Sequence, residues 1–399
     1  MPSPADAAEP KPGPVQDGRV LALDGLRGVM TIFVVLSHYF GEVPHGFRIA
    51  MLGWIAVDMF FVLSGYLVGK LIVEKGHHAN FLTVFFVRRA CRTLPIYMVC
   101  VVAVFGLLAV LDRPWTRDEE HFPLWSYLTF SQNALMVATG RVGAEWLAPT
   151  WTLGVEEHFY LLLPLVFALV PRPKLAAALV AVALLAAGSR AAILGLAPDW
   201  TLAALMLLPT RADGLACGVL AALVVTGGRP RLDGRDGLLR GAVPLLLAAT
   251  ALLRIIGGED GLLFAALGHA VVSLACAHFL LALVRGAPEA IRLHAPVLRF
   301  FGTTSYAVYL THMPILGLMH GLILDAKPDI ATPAQWGVTL AALPVCVGIG
   351  WLLTRTIEAP ISAYGRSWRW QEQPPRRFEA APVSLGVRPA ASPVRSDSA

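Results

Sequence analysis

Residues 20–40, VLALDGLRGVMTIFVVLSHYF, form an apolar run long enough to enter a bilayer, yet the run carries Asp24, Arg27 and His38. A charged side chain at the centre of a membrane helix costs about 3 kcal/mol on insertion scales, so such groups usually face a protein-lined cavity and mark a substrate path or a reaction centre. Arg27 and His38 are eleven residues apart. At about 100° per residue, eleven steps return a helix to within about 20° of its starting azimuth, about 16 Å further along the axis. Both groups are therefore expected on one stripe, with Thr31 and Val34 between them. A plainer arrangement pairs Arg27 with Asp24 and leaves His38 as an end cap, but it gives no reason for a neutralisable imidazole in an apolar run.

Runs of this kind recur along the chain. At about 20 apolar residues per span, ten candidates stand near 21–40, 52–73, 93–111, 151–170, 174–196, 203–226, 240–256, 262–284, 301–324 and 336–357. The 399 residues are 56% hydrophobic and 15% charged, against about 25% charged in soluble domains. The expected fold is an all-α, polytopic transmembrane helical bundle. The net charge of +5 does not point to nucleic acid, because the basic residues lie between apolar runs rather than in one patch. The cysteines, Cys91, Cys100, Cys217, Cys276 and Cys346, lie in or beside apolar segments without metal-ligand spacing, so neither a disulfide framework nor a metal site is expected.

An even number of spans puts both termini on one side, and the basic residues say which. Only Arg48, Arg113, Arg117, Arg141, Arg254 and Lys327 fall in the loops opposite the termini; the tails and alternate loops hold most of the rest. Cytoplasmic termini and a multi-pass place in the inner or plasma membrane follow. No cleavable signal peptide is expected, since residues 1–19 are polar and Pro/Ala-rich and the first apolar run leads into further spans. The chain divides into a disordered cytoplasmic N-tail (1–19), a transmembrane domain (20–365) and a disordered basic, Pro-rich C-tail (366–399). The long outer loop, 112–150, contains WSYLTFSQNALMVA, which reads as a short interfacial or re-entrant helix, and an acidic run at 118–120 that reads as a solvated face.

With this topology Asp58, Glu156, Glu157, Arg211 and Asp213 share the depth of His38. If they converge, a carboxylate can hold one imidazole nitrogen while the other accepts a proton from a hydroxyl, as a general base must. Interhelical ion pairs are the structural alternative for each carboxylate. At the inner end, FVRRACRTLP offers Arg88, Arg89 and Arg92, which either enforce topology or clamp a polyphosphate through charge-assisted hydrogen bonds, with Arg27 at the same depth. The span between arginine and histidine is about the reach of an extended cofactor arm.

These motifs resemble the acyltransferase 3 family of integral membrane acyltransferases. The resemblance rests on LDGLRG with the R-x10-H spacing, VDMFFVLSGYLV, the Arg89 and Arg92 pair, PTWTLGVEEHFYLLLPL, TRADGLACG and SYAVYLTH, in family order. It implies transfer of an acyl group, by family frequency acetyl, from cytoplasmic acyl-CoA to a hydroxyl of a carbohydrate or glycosylated acceptor. His38 is then the expected base, with Arg27, Glu156 and Asp58 at the catalytic centre and Arg88, Arg89 and Arg92 joining Arg27 at the acyl-CoA site. Trp151, Arg211, Asp213, Tyr309 and His312, from the same motifs, are expected on the acceptor side, His312 being as well suited to an interhelical hydrogen bond. Ser64 and Gly65 read as close helix contact rather than a nucleophile, for no GxSxG elbow surrounds them. Membrane lipid is an expected partner, and a separate extracytoplasmic partner protein stays open. The alternative class is a proton-coupled transporter or flippase, which calls for discontinuous helices and solute flux without acyl turnover.

Overall fold

Inside a bilayer no water satisfies backbone N–H and C=O groups, so an apolar chain must pair them within its own helices. The computed structural model describes residues 15–16, 19–111, 113–117, 121–227, 236–257 and 263–372. Among these it is all helical except for one two-residue antiparallel pairing, β1 (Val15–Gln16) against β2 (Arg19–Val20). The helices are α1 (Leu21–Phe40), α2 (Gly53–Lys75), α3 (Phe81–Val110), α4 (Pro114–Arg117), α5 (Leu124–Leu128), α6 (Gln132–Thr139), α7 (Trp151–Leu169) and α8 (Arg172–Leu196). They continue with α9 (Thr201–Met206), α10 (Leu208–Thr226), α11 (Asp236–Gly257), α12 (His269–Val284), α13 (Pro296–Leu324), α14 (Pro333–Leu353) and α15 (Ala359–Ser367).

Among the described residues, nine helical runs are long and apolar enough to cross a membrane. The expected span at 240–256 falls on α11, a helix of 22 residues, which at about 1.5 Å per residue rises about 33 Å against a hydrocarbon core of about 30 Å. The helix α3 starts at Phe81, well before the expected 93, so the arginine motif is part of the helix. Arginine and leucine are good helix formers, and thirty residues rise about 45 Å, which carries the first turns beyond the hydrocarbon.

The sixth run is broken between α9 and α10. Leu207 is extended, and Pro209, which has no N–H to donate, occupies the first turn of α10. Such a break is tolerated in a membrane only where protein groups recapture the freed carbonyls. Thr210 Oγ1 donates to the Ala203 carbonyl at 3.0 Å and Asn133 Nδ2 to the Met206 carbonyl at 2.7 Å. Asn133 belongs to α6, so the expected re-entrant segment forms two short helices, α5 and α6, of which α6 plugs this break.

Glycine brings the long helices into backbone contact. A Cβ on Gly28 would stand 1.9 Å from the Leu298 carbonyl oxygen, and one on Gly302 1.8 Å from that of Asp24, which fixes α1 against α13. Gly65 and Gly218 play the same part between α2 and α10, each facing a carbonyl oxygen at 2.0 Å. The close-contact reading of Gly65 therefore holds.

The two ends of the bundle are each laced across elements. At the C-terminal end of α1, the His45 ring pairs with Asp329 at 2.7 Å, and Trp115 Nε1 donates to Asp325 Oδ1 at 3.1 Å. At the opposite end the turn before α3 holds the chain beyond α15: Asn80 Nδ2 donates to the Arg369 carbonyl and the Ala79 N–H to that of Gln371, both at 3.0 Å. The start of α1 and the end of α15 thus share one end of the bundle. The C-tail boundary at 366 falls inside α15, and residues up to 371 pack as just described. The expected disorder at 373–399 and 1–14, and the acidic run at 118–120, lie outside the described residues.

Candidate active site

Five helices enclose a cavity between the Arg27 and Tyr309 levels. Arg27 comes from α1, Ser64 and Phe61 from α2, Arg89, Arg92 and Thr93 from α3, Thr152, Glu156 and Tyr160 from α7, and Ser305, Tyr306 and Tyr309 from α13. Its remaining wall is apolar and belongs mainly to α2, with Val57, Phe60, Leu63 and Leu67. A polyanion head could sit on the guanidinium groups and an apolar or amide-bearing arm on this wall.

The polar groups in the cavity form an ordered set. Arg89 lies over the Tyr160 ring, 4.5 Å from its centroid. The Tyr160 hydroxyl donates to Glu156 Oε2 at 3.0 Å and contacts Ser64 Oγ. Arg27 Nη1 is 3.6 Å from Asp24 Oδ1, so the plain pairing expected from sequence exists alongside the cavity position. Tyr306 donates to the Thr93 carbonyl at 2.7 Å, and Tyr309 to the Pro149 carbonyl at 2.8 Å.

Arg88 is not among the residues that line the cavity. Its Nη2 donates to the Trp368 carbonyl at 2.6 Å, and its guanidinium lies 4.8 Å from the Trp370 ring centroid. Neighbours on a helix diverge by about 100°, so Arg88 turns to the C-terminal segment while Arg89 turns to the cavity. Arg92, between them in azimuth, also lines the cavity.

Asp58, Arg211 and Asp213 do not reach His38 either. Asp58 receives Arg211 Nη2 on one oxygen and faces His269 Nδ1 at 2.9 Å with the other. Asp213 Oδ2 takes Arg190 Nη2 at 2.6 Å. Arg190, 0% exposed, also donates to the carbonyls of Ala265, Ala266 and Thr210. The first two belong to a π-turn, Phe264–Gly268, whose wide winding leaves carbonyls to be filled. Interhelical pairing, the structural alternative, thus accounts for these residues. Trp151 stands at the boundary: its ring meets Phe61 edge-on at 6.0 Å, with the Arg211 guanidinium 5.9 Å away.

His38 sits at the far end of α1 against His312 of α13, their rings 4.8 Å apart. His312 Nε2 is 3.1 Å from His38 Nδ1, and His38 Nε2 is 3.5 Å from Glu42 Oε2. The expected open stripe along α1 is filled, since Thr31 and Val34 are each 1% exposed. The lining of the cavity follows α13 instead, through Ser305 and Tyr309, and His312 is the next position on that face. Tyr309 and His312 rings lie 5.6 Å apart, so one turn of α13, about 5 Å, separates the cavity wall from the histidine pair.

Sequence reading missed Glu42, Arg190 and His269. Glu42 lies beyond the span but at i+4 from His38, a spacing that brings side chains together on a helix. Arg190 is a lone guanidinium in an apolar run, itself a sign of an interior partner. Outside the spans, Asp329 accepts the backbone N–H groups of Ile330 and His45 at 2.7 and 3.0 Å. Burial pushes its carboxyl upward, but these bonds and the His45 ring outweigh burial and hold it below the usual carboxylate range. Among the described residues, no group of three or more His, Cys, Asp and Glu is placed to hold a metal.

Comparison with known proteins matches residues 20–355 to the family described as "Acyltransferase domain". The chain is 26% identical to the putative peptidoglycan O-acetyltransferase YrhL of Bacillus subtilis, over 86% of this chain and 55% of that protein. It is 28% identical to the peptidoglycan O-acetyltransferase OatA of Listeria monocytogenes, over 87% of this chain and 56% of that protein. A shorter match, 30% identical over 36% of this chain and 24% of the relative, joins it to the O-acetyltransferase OatA of Staphylococcus aureus. The chain thus spans about half or less of the length of these relatives, and no solved structure matches it. A match covering most of the chain, on a bundle of long apolar helices, places it in the acyltransferase 3 family of integral membrane acyltransferases.

Proposed function

We propose that the chain is an O-acyltransferase of the plasma membrane that takes an acyl group, of which acetyl is the first candidate, from cytoplasmic acyl-CoA to a hydroxyl of a glycan. The observation that carries this reading is the cavity itself, with Arg27, Arg89 and Arg92 on its wall and the histidine pair one turn beyond its Tyr309 end. Arg27, Arg89 and Arg92 would hold the CoA phosphates, with the thioester arm along the apolar wall of α2. The positive-inside bias supports a cytoplasmic place for that end. The names of the relatives from Bacillus and Listeria suggest a peptidoglycan hydroxyl as acceptor.

In the proposed reaction, His38 Nε2 takes the proton of the acceptor hydroxyl as its oxygen attacks the thioester carbonyl. The C–O bond forms, the C–S bond breaks, and the CoA thiolate leaves and recovers the proton from the imidazolium. Glu156, buttressed by Tyr160, would fix the donor arm or balance the arginines. The reaction requires the wall at Tyr309 to open, since the cavity stops there. Reconstituted vesicles with acyl-CoA on one side and a muropeptide glycan on the other should release CoA only when both are present.

The break between α9 and α10 is the one observation that suits the transporter class. Its carbonyls are recaptured by Thr210 and Asn133 rather than left to a solute. Solute flux into the same vesicles without CoA release would favour that class.

A further inference from the structure

The hydrogen-bond network around His38 assigns its tautomer. A carbonyl oxygen only accepts, and His312 Nδ1 lies 2.6 Å from the Tyr309 carbonyl, so in neutral His312 the hydrogen is on Nδ1. His312 Nε2 then presents a lone pair. That atom is 3.1 Å from His38 Nδ1, which also lies 3.0 Å from the Val34 carbonyl. Both neighbours of His38 Nδ1 can only accept and lie nearer than the Glu42 carboxylate, which is 3.5 Å from Nε2, so the single hydrogen of the neutral ring sits on Nδ1 and is shared between them. The remaining nitrogen, His38 Nε2, is left with its lone pair on the side of Glu42.

We propose that His312 is a positioning residue: its Nε2 lone pair holds His38 in the Nδ1–H tautomer and so makes Nε2 the proton acceptor. The proposal rests on the reading of His38 as the base and adds what sets that base. His312 is 0% exposed, and its own proton is fixed by Tyr309, one turn back on the same helix. The Tyr39 hydroxyl donates to the His312 carbonyl at 3.0 Å and ties α1 to α13 beside the pair. When His38 Nε2 accepts the hydroxyl proton, the new N–H points at the half-exposed Glu42 carboxylate, while Nδ1–H stays on His312 and Val34. No proton need cross the ring pair, and the one taken up at Nε2 is the one returned to the leaving thiolate.

A packing role for His312 needs its volume; the positioning role needs its acceptor atom. The two separate by comparing His312→Gln, whose amide oxygen can still accept, with His312→Leu, which cannot. Histidine-selective 15N NMR of the full-length protein in nanodiscs reads the tautomer, with the His38 signals identified by their loss in His38→Gln. The expected result is a protonated Nδ1 at His38 in the wild type and in His312→Gln, and a shift toward protonated Nε2 in His312→Leu. In turnover, His312→Leu should lose on the order of 10²-fold in kcat, the lower range for a misdirected general base, with KM for acyl-CoA unchanged. His312→Gln should recover most of that loss. A wild-type His38 protonated at Nε2, or Gln and Leu variants with equal kcat, would overturn the proposal. Full activity in His38→Gln would instead remove the base reading, while the wild-type NMR tautomer still judges the assignment of the network.

Discussion

The Arg89 guanidinium rests on the face of Tyr160, 4.5 Å from the ring centroid, and Tyr160 in turn donates to Glu156. Only a planar cation can both stack there and offer paired N–H groups to a phosphate. Arg89→Lys keeps the charge and loses the stack, so KM for acyl-CoA should rise about tenfold, a step of about 1.4 kcal/mol, with kcat changed less. Steady-state kinetics with varied acyl-CoA check this. An unchanged KM would mean that Arg89 does not hold the donor.

Arg190 and Asp213 form a fully buried pair 2.6 Å apart, and Arg190 also serves three carbonyls. Removing one partner leaves an uncompensated charge, so Arg190→Leu should cost about 3–5 kcal/mol. Arg190→Leu combined with Asp213→Leu should recover part of that loss, because no lone carboxylate remains. Thermal denaturation midpoints of the detergent-purified variants report both changes.

At Gly302 the first atom of any side chain would meet the Asp24 carbonyl oxygen at 1.8 Å, whereas nothing stands within 4 Å of the same position on Gly106. Gly302→Ala must therefore push α1 from α13, and overpacking of this kind costs about 1–3 kcal/mol or more. Gly106→Ala should be neutral or slightly stabilising, as alanine is the better helix former. Equal midpoints for the two variants would contradict the backbone contact.

Asp329 is held below the usual carboxylate range by its backbone and His45 contacts. Stability gained from a lowered carboxyl is fully present above the unfolded value of about 3.9 and is lost as pH falls through the lower folded value. The difference in melting midpoint between wild type and Asp329→Asn should therefore shrink as pH falls below about pH 4. Melting curves taken from pH 7 down to pH 3 test this, and a difference independent of pH would count against it.

What could be read from sequence was whatever follows from local spacing and short motifs. The eleven-residue spacing put Arg27 on a cavity-facing stripe, the arginine cluster and the family motifs singled out Arg89, Arg92 and Glu156, and all four line the cavity. The partners of Asp58 and Asp213 could not be read the same way, because they depend on how α2, α8, α10 and α12 approach one another. Those approaches are set by glycines such as Gly65 and Gly218, whose contacts lie more than a hundred residues away. Sequence groups Arg88 with Arg89 and Arg92, since three arginines in five positions look alike, while the helix sends Arg88 and Arg89 to different neighbours. The filled stripe at Thr31 and Val34 is likewise a tertiary outcome, produced by the packing of α13 on α1.

The proposed role of His38, an imidazole at the far end of α1 that activates the acceptor hydroxyl, is tested most directly by following label from [14C]acetyl-CoA into a glycan acceptor with purified wild type and His38→Ala. Transfer by the wild type is expected, with a loss of at least about 10²-fold in the variant, the contribution of a positioned general base, and acetyl-CoA still bound. Transfer by His38→Ala at the wild-type rate would contradict it.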